Sequence, residues 1–387
     1  MKVLIVAEYY PRAADPVRGV WAHRQALAAR DAGAEVRVLV LHRPLPPLAA
    51  MRPLDLKAFA NALHQPRHMI RDGISIEFVR YVSPPRPLSY GAWGRWAAPA
   101  LQRAIRRVER EFQFDLIHAH YAVPAGDAVR RATPEAPLVV SVHGHDVHGP
   151  LDGHPAVGGT LAHARLVLAN SAGTARRCSE RGARATAVVH LGTDVPESPR
   201  PAPSTPTLAT VAHLVPRKCH ADVIEAVAVL RDSHPELRYV IVGDGPERQR
   251  LGDLASARGI ADRVEFRGQL AHEQAVVAAQ SASLFVLPSV DEAFGVAYLE
   301  AMAGGVPAIG SQGEDGPAEI TAAAAGGRGM TLVPPRDPGA LAQAITRMLG
   351  DGAAGRDARA VVERCFTWEK CGRATVEAYQ LALSGRD

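Results

Sequence analysis

Two glutamates, Glu292 and Glu300, stand in "PSVDEAFGVAYLEAMAGGVP", Pro288 to Pro307, on either side of a Phe294-Gly295 pair and ahead of two further glycines. The preceding "LFVLPS" has the pattern of a buried strand, "VDEAFG" that of a loop, and "VAYLEAMAGG" that of a helix ending on glycine. Such a strand-loop-helix unit aims the N–H groups of the helix start at an anion beyond the C-terminal edge of a sheet, and a diphosphate fits that place. Glu292 would lie in the loop and Glu300 about a turn into the helix, so the two carboxylates can address opposite ends of one ligand. Carboxylates accept from hydroxyl groups, which makes both ends polyols, a ribose and a hexose. Either glutamate alone is ordinary as a solvated acid; the combined spacing singles them out.

Other candidates are weaker. His143, His145 and His148 in "HGHDVHGP" follow the apolar run "LVVSV" with a permissive metal-ligand spacing, but the stretch has no cysteine and, beyond Asp146, no carboxylate cluster. No metal site is expected there. His118 and His120 in "HAHY" either line a ligand or are satisfied strand-end histidines. "GDGP", Gly243 to Pro246, follows a strand but lacks the third glycine of the dinucleotide fingerprint, and no Gly-x-Gly-x-x-Gly follows "KVLIVA" at the N-terminus, which argues against a nicotinamide or flavin dehydrogenase. No Asp-x-Asp pair is present to hold a divalent cation on a diphosphate, so metal-independent chemistry is expected.

These residues need a scaffold, and short apolar runs alternating with helical patterns supply it: "KVLIVA", "EVRVLVL", "ISIEFVRYV", "LIHAH" and "LVVSVH", then "TLATVAHL", "RYVIVG", "RVEFRG", "LFVLP" and "PAIGS". Near-continuous apolar strands separated by helices imply parallel sheets covered on both faces. "PESPRPAPSTP", Pro196 to Pro206, places five prolines in eleven residues and is expected to be a stiff linker. The predicted organisation is an α/β protein with a Rossmann-like domain over 1–195, a linker over 196–206, a second such domain over 207–366 and a C-terminal helix over 367–387 packing back on the first. Paired domains of this kind bind ligands in the cleft they form.

The 387 residues suffice for two domains with their own cores. No apolar run approaches the roughly 18 residues of a membrane span, and the five-residue apolar core of "MKVLIVAEYYP" is short for a secretory segment, so a cytoplasmic protein is expected. The four cysteines have no metal or disulfide spacing. Residues 1–200 hold 26 Lys and Arg against 17 Asp and Glu, an excess of nine positive charges, whereas the remainder holds 18 against 23. With only four lysines in the chain and no basic-aromatic interleaving, a nucleic-acid surface is not indicated, although an anionic partner for the first half is. Residues 93–112 place Trp93, Trp96, Leu101, Ile105, Val108 and Phe112 near helical spacing; the stripe suits a domain helix, with peripheral membrane contact as the other option.

"SLFVLPSVDEAFGVAYLEAMAGGVPAIGS" resembles the Glu-x7-Glu signature of the retaining glycosyltransferases of family 4, whose fold is GT-B, two Rossmann-like domains. The resemblance extends through "GVWAHRQALAARDAGAEVRVL", "FDLIHAHY", "SVHGHDV", "VVHLGTDV", "LVPRKCHADVIEAV", "VIVGDGPERQRL" and "VEFRGQL". It implies that Glu300 holds the nucleotide ribose, and that Glu292 with the backbone of Phe294, Gly295 and Val296 holds the donor sugar and phosphate. It further implies that Lys218 neutralises the diphosphate, Gly19 lets the first loop approach it, His143 contacts the donor sugar near its anomeric centre, and Arg267 belongs to the base-binding loop. Two departures stand out. Ala212-His213 replaces the usual Gly-Arg, leaving Lys218 or Arg217 to carry the leaving-group charge, and Cys219 replaces the usual glycine after the lysine.

The implied activity is transfer of a sugar from a nucleotide-diphosphate sugar, a UDP-sugar ahead of a GDP-sugar, to a hydroxyl acceptor with retention of configuration. The acceptor would be a sugar, a lipid-linked glycan of a surface polysaccharide or a natural product, and no cofactor is expected beyond the donor as co-substrate. An epimerase or hydrolase of the same fold would instead yield a free or isomerised sugar without acceptor turnover. A non-catalytic nucleotide-sugar-binding protein would bind donor without cleaving it.

Overall fold

The computed structural model describes residues 1–44, 64–85, 89–149, 151–324 and 328–385, with the side chain of His145 outside the described set. It divides into two compact units, Met1–Leu191 with Trp368–Asp387, and Gly192–Thr367. The stretch Pro196 to Pro206, expected as a linker, lies inside the second unit, where Arg359 donates to the carbonyls of Pro196 (2.6 Å) and Ala303 (3.0 Å).

The first unit is built on an eight-stranded sheet. Its strands are β1 (Lys2–Ala7), β2 (Glu35–His42), β3 (His68–Arg71), β4 (Ile74–Arg80), β5 (Leu116–His120), β6 (Leu138–Val142), β7 (Leu166–Ala169) and β8 (Thr186–Val188), in the order β3-β4-β2-β1-β5-β6-β7-β8. All neighbours pair in parallel except β3 with β4. Strands β5, β6 and β7 are buried throughout, which is why they read as apolar runs rather than as alternating patterns. The order reverses between β1 and β5, so their C-terminal ends flank the crevice where α/β sheets receive ligands.

The helix Trp93–Glu111 turns Trp93, Ala97, Leu101, Ala104, Ile105 and Val108 into the core, so the apolar stripe is spent on packing; Trp96 alone of its large apolar residues is half exposed. The C-terminal helix Trp368–Ser384 lies in this unit against the helix Val20–Asp31. Their approach demands glycine at 372, where a Cβ would fall 2.1 Å from the Ala28 carbonyl oxygen. No helix among the described residues is long and apolar enough to cross a membrane.

The second unit holds six parallel strands, β9 (Thr207–Val211), β10 (Arg238–Val242), β11 (Val264–Phe266), β12 (Leu284–Val286), β13 (Ala308–Ser311) and β14 (Met330–Val333), ordered β11-β10-β9-β12-β13-β14. Here the order reverses between β9 and β12. The loop after β9 carries Lys218 and the loop after β12 carries Glu292, so the topology itself brings these distant positions to one sheet edge.

Candidate active site

In the second unit Lys218 and Glu292 form an ion pair, their side chains 12% and 11% exposed. Ser289 Oγ donates to the same carboxylate oxygen, Oε2, at 2.9 Å. Burial pushes this carboxyl up, but the charge and hydrogen bond of Lys218, with Ser289, hold it below the ordinary glutamate value. The backbone is fixed as firmly: Glu292 N–H donates to Glu314 Oε2 (2.7 Å) and Val290 N–H to the Arg217 carbonyl (2.8 Å), tying the two loops together. Arg217 itself is exposed and reaches the Asp291 carbonyl at 3.4 Å.

The loop then turns through Asp291 (φ 56°) and Gly295 (φ 91°) into the helix Val296–Ala303. Gly295 satisfies two demands, a left-handed φ and a position where a Cβ would lie 2.4 Å from the Tyr298 ring. Phe294 is buried, packs on Phe366 (5.9 Å between centroids) and is cradled by Gly316, where a Cβ would fall 2.2 Å from the Phe294 Cα. Phe294 therefore anchors the loop with its ring, while Gly295 supplies no side-chain cap to the helix that Val296 begins. An anion at this helix start would meet backbone N–H groups and a nearby lysine.

Glu300 lies on the same helix with a side chain 14% exposed, His272 Nε2 3.7 Å from Oε1. Gln280 Nε2 donates to its carbonyl at 3.0 Å. Burial, helped by the negative charge of Asp194, pushes its carboxyl up to about 8. Two identical side chains are thus pushed in opposite directions, Glu292 toward the carboxylate by Lys218 and Glu300 toward the neutral acid by burial and Asp194.

Of the other expected residues, Arg267 follows the edge strand β11 and pairs with Glu265 (2.8 Å). His213 is exposed, and its carbonyl receives His220 Nε2 at 3.3 Å. Cys219 adopts a left-handed backbone (φ 53°, ψ 34°) at the start of the helix His220–Val229, the conformation a glycine would take without steric cost. The glycines of "GDGP" have a packing role: a Cβ at Gly243 would fall 2.0 Å from the Ala212 carbonyl oxygen, and one at Gly245 2.4 Å from that of Leu214.

The first unit carries Gly19 and His143. Gly19 (φ 69°) starts the helix Val20–Asp31, and a Cβ there would sit 2.2 Å from the Tyr9 carbonyl carbon, so the crowding of its own loop already requires glycine. His143 Nε2 lies 3.0 Å from His120 Nδ1, the two rings within 2° of parallel. His118, next inward, is held by Tyr379 Oη and Ser141 Oγ, each at 2.7 Å. Burial drives all three imidazoles toward the neutral form, His118 to about 3 and His143 to about 4, with His120 also pushed well down. Two neutral imidazoles joined by one hydrogen bond share a proton, so the tautomer of His143 is coupled to that of His120. Asp146 accepts the backbone N–H groups of Ala122 (3.1 Å) and Val123 (3.4 Å), with burial raising its carboxyl to about 7, and serves as a loop anchor. Among the described residues no group of three His, Cys, Asp or Glu is arranged to hold a metal ion.

Sequence reasoning missed Ser289, Glu314, Asp194 and Tyr379. Ser289 lies three positions before Glu292, within reach of a local reading; the others come from distant segments and leave no local signal.

Residues 194–364 match the family model described as glycosyl transferases group 1, and residues 18–197 that of glycosyltransferase family 4. The chain belongs to the family 4 glycosyltransferases. It is 28% identical over 416 residues to the glycogen synthase of Mycobacterium tuberculosis, covering 100% of this chain and 96% of that one. An exopolysaccharide phosphotransferase of Streptomyces coelicolor is 42% identical over 162 residues, which are 41% of this glycosyltransferase and only 17% of that protein. Among solved structures, Anabaena Alr3699/HepE in complex with UDP and glucose superposes with a TM-score of 0.70 at 21% identity, covering 98% of this chain and 99% of that one, a likeness of fold. The architecture is that of a GT-B glycosyltransferase, α/β with two Rossmann-like parallel-sheet units.

Proposed function

We propose that this glycosyltransferase moves a sugar from a nucleotide-diphosphate sugar, a UDP-sugar ahead of a GDP-sugar, to a hydroxyl acceptor with retention and without a metal. The assignment is carried by the Lys218–Glu292–Ser289 cluster at the C-terminal ends of β9 and β12, beside a helix start and with the buried Glu300 one turn further on. The UDP and glucose bound by the Anabaena neighbour favour a uridine donor.

Breaking the sugar–phosphate bond builds negative charge on the leaving diphosphate, and Lys218 with the helix-start N–H groups beginning at Val296 would stabilise it. Glu292 holds the Lys218 ammonium at this sheet edge, where a diphosphate would meet it. Glu292 would then receive hydroxyls of the donor sugar, and Glu300 those of the ribose. His143, neutral and joined to His120 through Nε2, suits a hydrogen bond to the sugar better than proton abstraction. Attack on the face the diphosphate leaves lets the departing phosphate oxygen take the acceptor proton. The acceptor would be a sugar or glycan of polysaccharide biosynthesis, a lipid-linked glycan or a natural product, met in the cytoplasm or at the inner membrane face.

Thermal stabilisation by UDP, GDP, ADP and dTDP, each with chelator, tests the donor: ligand at 100 times its dissociation constant adds about 2.7 kcal/mol. A shift with UDP that is lost in Glu300→Ala and kept in Glu292→Ala, with turnover absent from the latter, is expected. Unchanged UDP affinity in Glu300→Ala would overturn the ribose assignment.

A further inference from the structure

The loop leading from β1 to the helix Val20–Asp31 carries two arginines, Arg12 and Arg18, that share the single buried carboxylate of Glu8 among the described residues. Both lean on Glu8, which is 3% exposed. Arg18 Nη2 lies 3.5 Å from Glu8 Oε1, while Oε2 is taken by the Tyr90 hydroxyl at 2.7 Å. Arg12 Nη2 reaches only the Glu8 carbonyl, at 3.4 Å. The Nε atoms of both arginines are buried without a hydrogen-bond partner. Asp15 is exposed and accepts from the backbone N–H of Arg18 at 3.1 Å.

Burial first, then the charge of Arg18, lower the Arg12 guanidinium to about 10 in spite of Glu8 and Asp15. Arg18 sits over the Tyr9 ring, 4.5 Å from its centroid, which orients the guanidinium without neutralising it. Both guanidinium groups are only partly exposed and keep unspent donors, and a guanidinium fork matches phosphate and carboxylate oxygens. The loop also leaves the sheet at the strand where its order reverses.

We propose that Arg12 and Arg18 form an oxyanion-binding subsite in the first unit, receiving a phosphate or carboxylate group. The excess of positive charge in residues 1–200 has the same sense. In a glycosyl transfer such a group comes either from the donor diphosphate or from an anionic acceptor. Which of these fills the subsite rests on the reaction proposed above; the subsite itself does not.

The test is calorimetric titration of the full chain at low ionic strength with inorganic phosphate, glucuronate, UDP and uridine, in wild type, Arg12→Gln, Arg18→Gln and the double variant. At least one anion should lose about tenfold or more in affinity in each single variant, with uridine unaffected. Loss confined to UDP identifies the donor diphosphate; loss confined to phosphate or glucuronate identifies the acceptor. Arg12→Lys and Arg18→Lys keep the charge should a glutamine variant fail to fold, and each should weaken binding less than full removal. Anion affinities equal in wild type and the folded double variant, or no anion binding by wild type, would overturn the subsite. Phosphate binding intact with no UDP binding would instead count against the donor assignment.

Discussion

Glu300→Gln offers a quantitative test of how burial sets the two glutamates apart. In the folded chain the Glu300 carboxyl is pushed up from 4.5 to about 8, chiefly by burial and then by Asp194. Between those values the folded state holds a proton that the unfolded state has released, so stability contributed by the neutral acid is full below pH 4.5 and is lost as pH rises toward 8. At 1.36 kcal/mol for each tenfold in proton affinity, the ceiling is about 5 kcal/mol. Water reaching the 14% exposed side chain recovers part of this, leaving about 2–3 kcal/mol. Glutamine keeps the shape of the neutral acid and does not titrate. Urea unfolding at pH 5 and pH 9 should therefore show Glu300→Gln gaining about 2–3 kcal/mol relative to wild type across the interval. Parallel stability profiles would mean that Glu300 is ionised at neutral pH and that the burial argument is wrong.

Lys218→Met strands the Glu292 carboxylate and should destabilise by about 3–5 kcal/mol, with Glu292→Gln in the same chain recovering most of the loss in chemical denaturation. At Cys219, held at φ 53°, Cys219→Gly should change stability by less than about 1 kcal/mol because relief of the left-handed backbone offsets added chain entropy; Cys219→Val should cost about 2 kcal/mol. His120→Phe leaves His143 Nε2 without its partner and should cost about 1–3 kcal/mol in thermal unfolding, whereas His120→Gln, which can restore a donor, should cost less.

The Glu292–Glu300 spacing was legible because it is local: seven intervening residues suffice to encode strand end, loop and first helical turn. Lys218 and Gly295 came from the family resemblance instead; the left-handed φ of Gly295 is a local constraint, whereas the ion pair of Lys218 with Glu292 spans 74 positions and has no local signal. The role of Gly19 shows the limit of such a reading. Its left-handed φ and the approach to Tyr9 explain the glycine without any ligand, and sequence does not separate the two reasons. The Pro-rich stretch was read as a linker from composition, yet Arg359, far along the chain, takes the Pro196 carbonyl into the second unit.

The sequence by itself determined the two parallel sheets, because buried strands need continuous apolar runs and their crossovers need helices. It also determined which residue types stand at the strand ends. Only the tertiary structure decided their chemistry. Glu292 is held toward the carboxylate because Lys218, 74 positions away, meets it at the switch between β9 and β12, and Glu300 is pushed toward the neutral acid by burial and by the charge of Asp194. His143 is neutral and joined to His120 because adjacent parallel strands bring their ends together in a buried setting. Charge states are set by solvent exclusion and by partners within a few ångströms, and those follow from strand order rather than from neighbours in sequence.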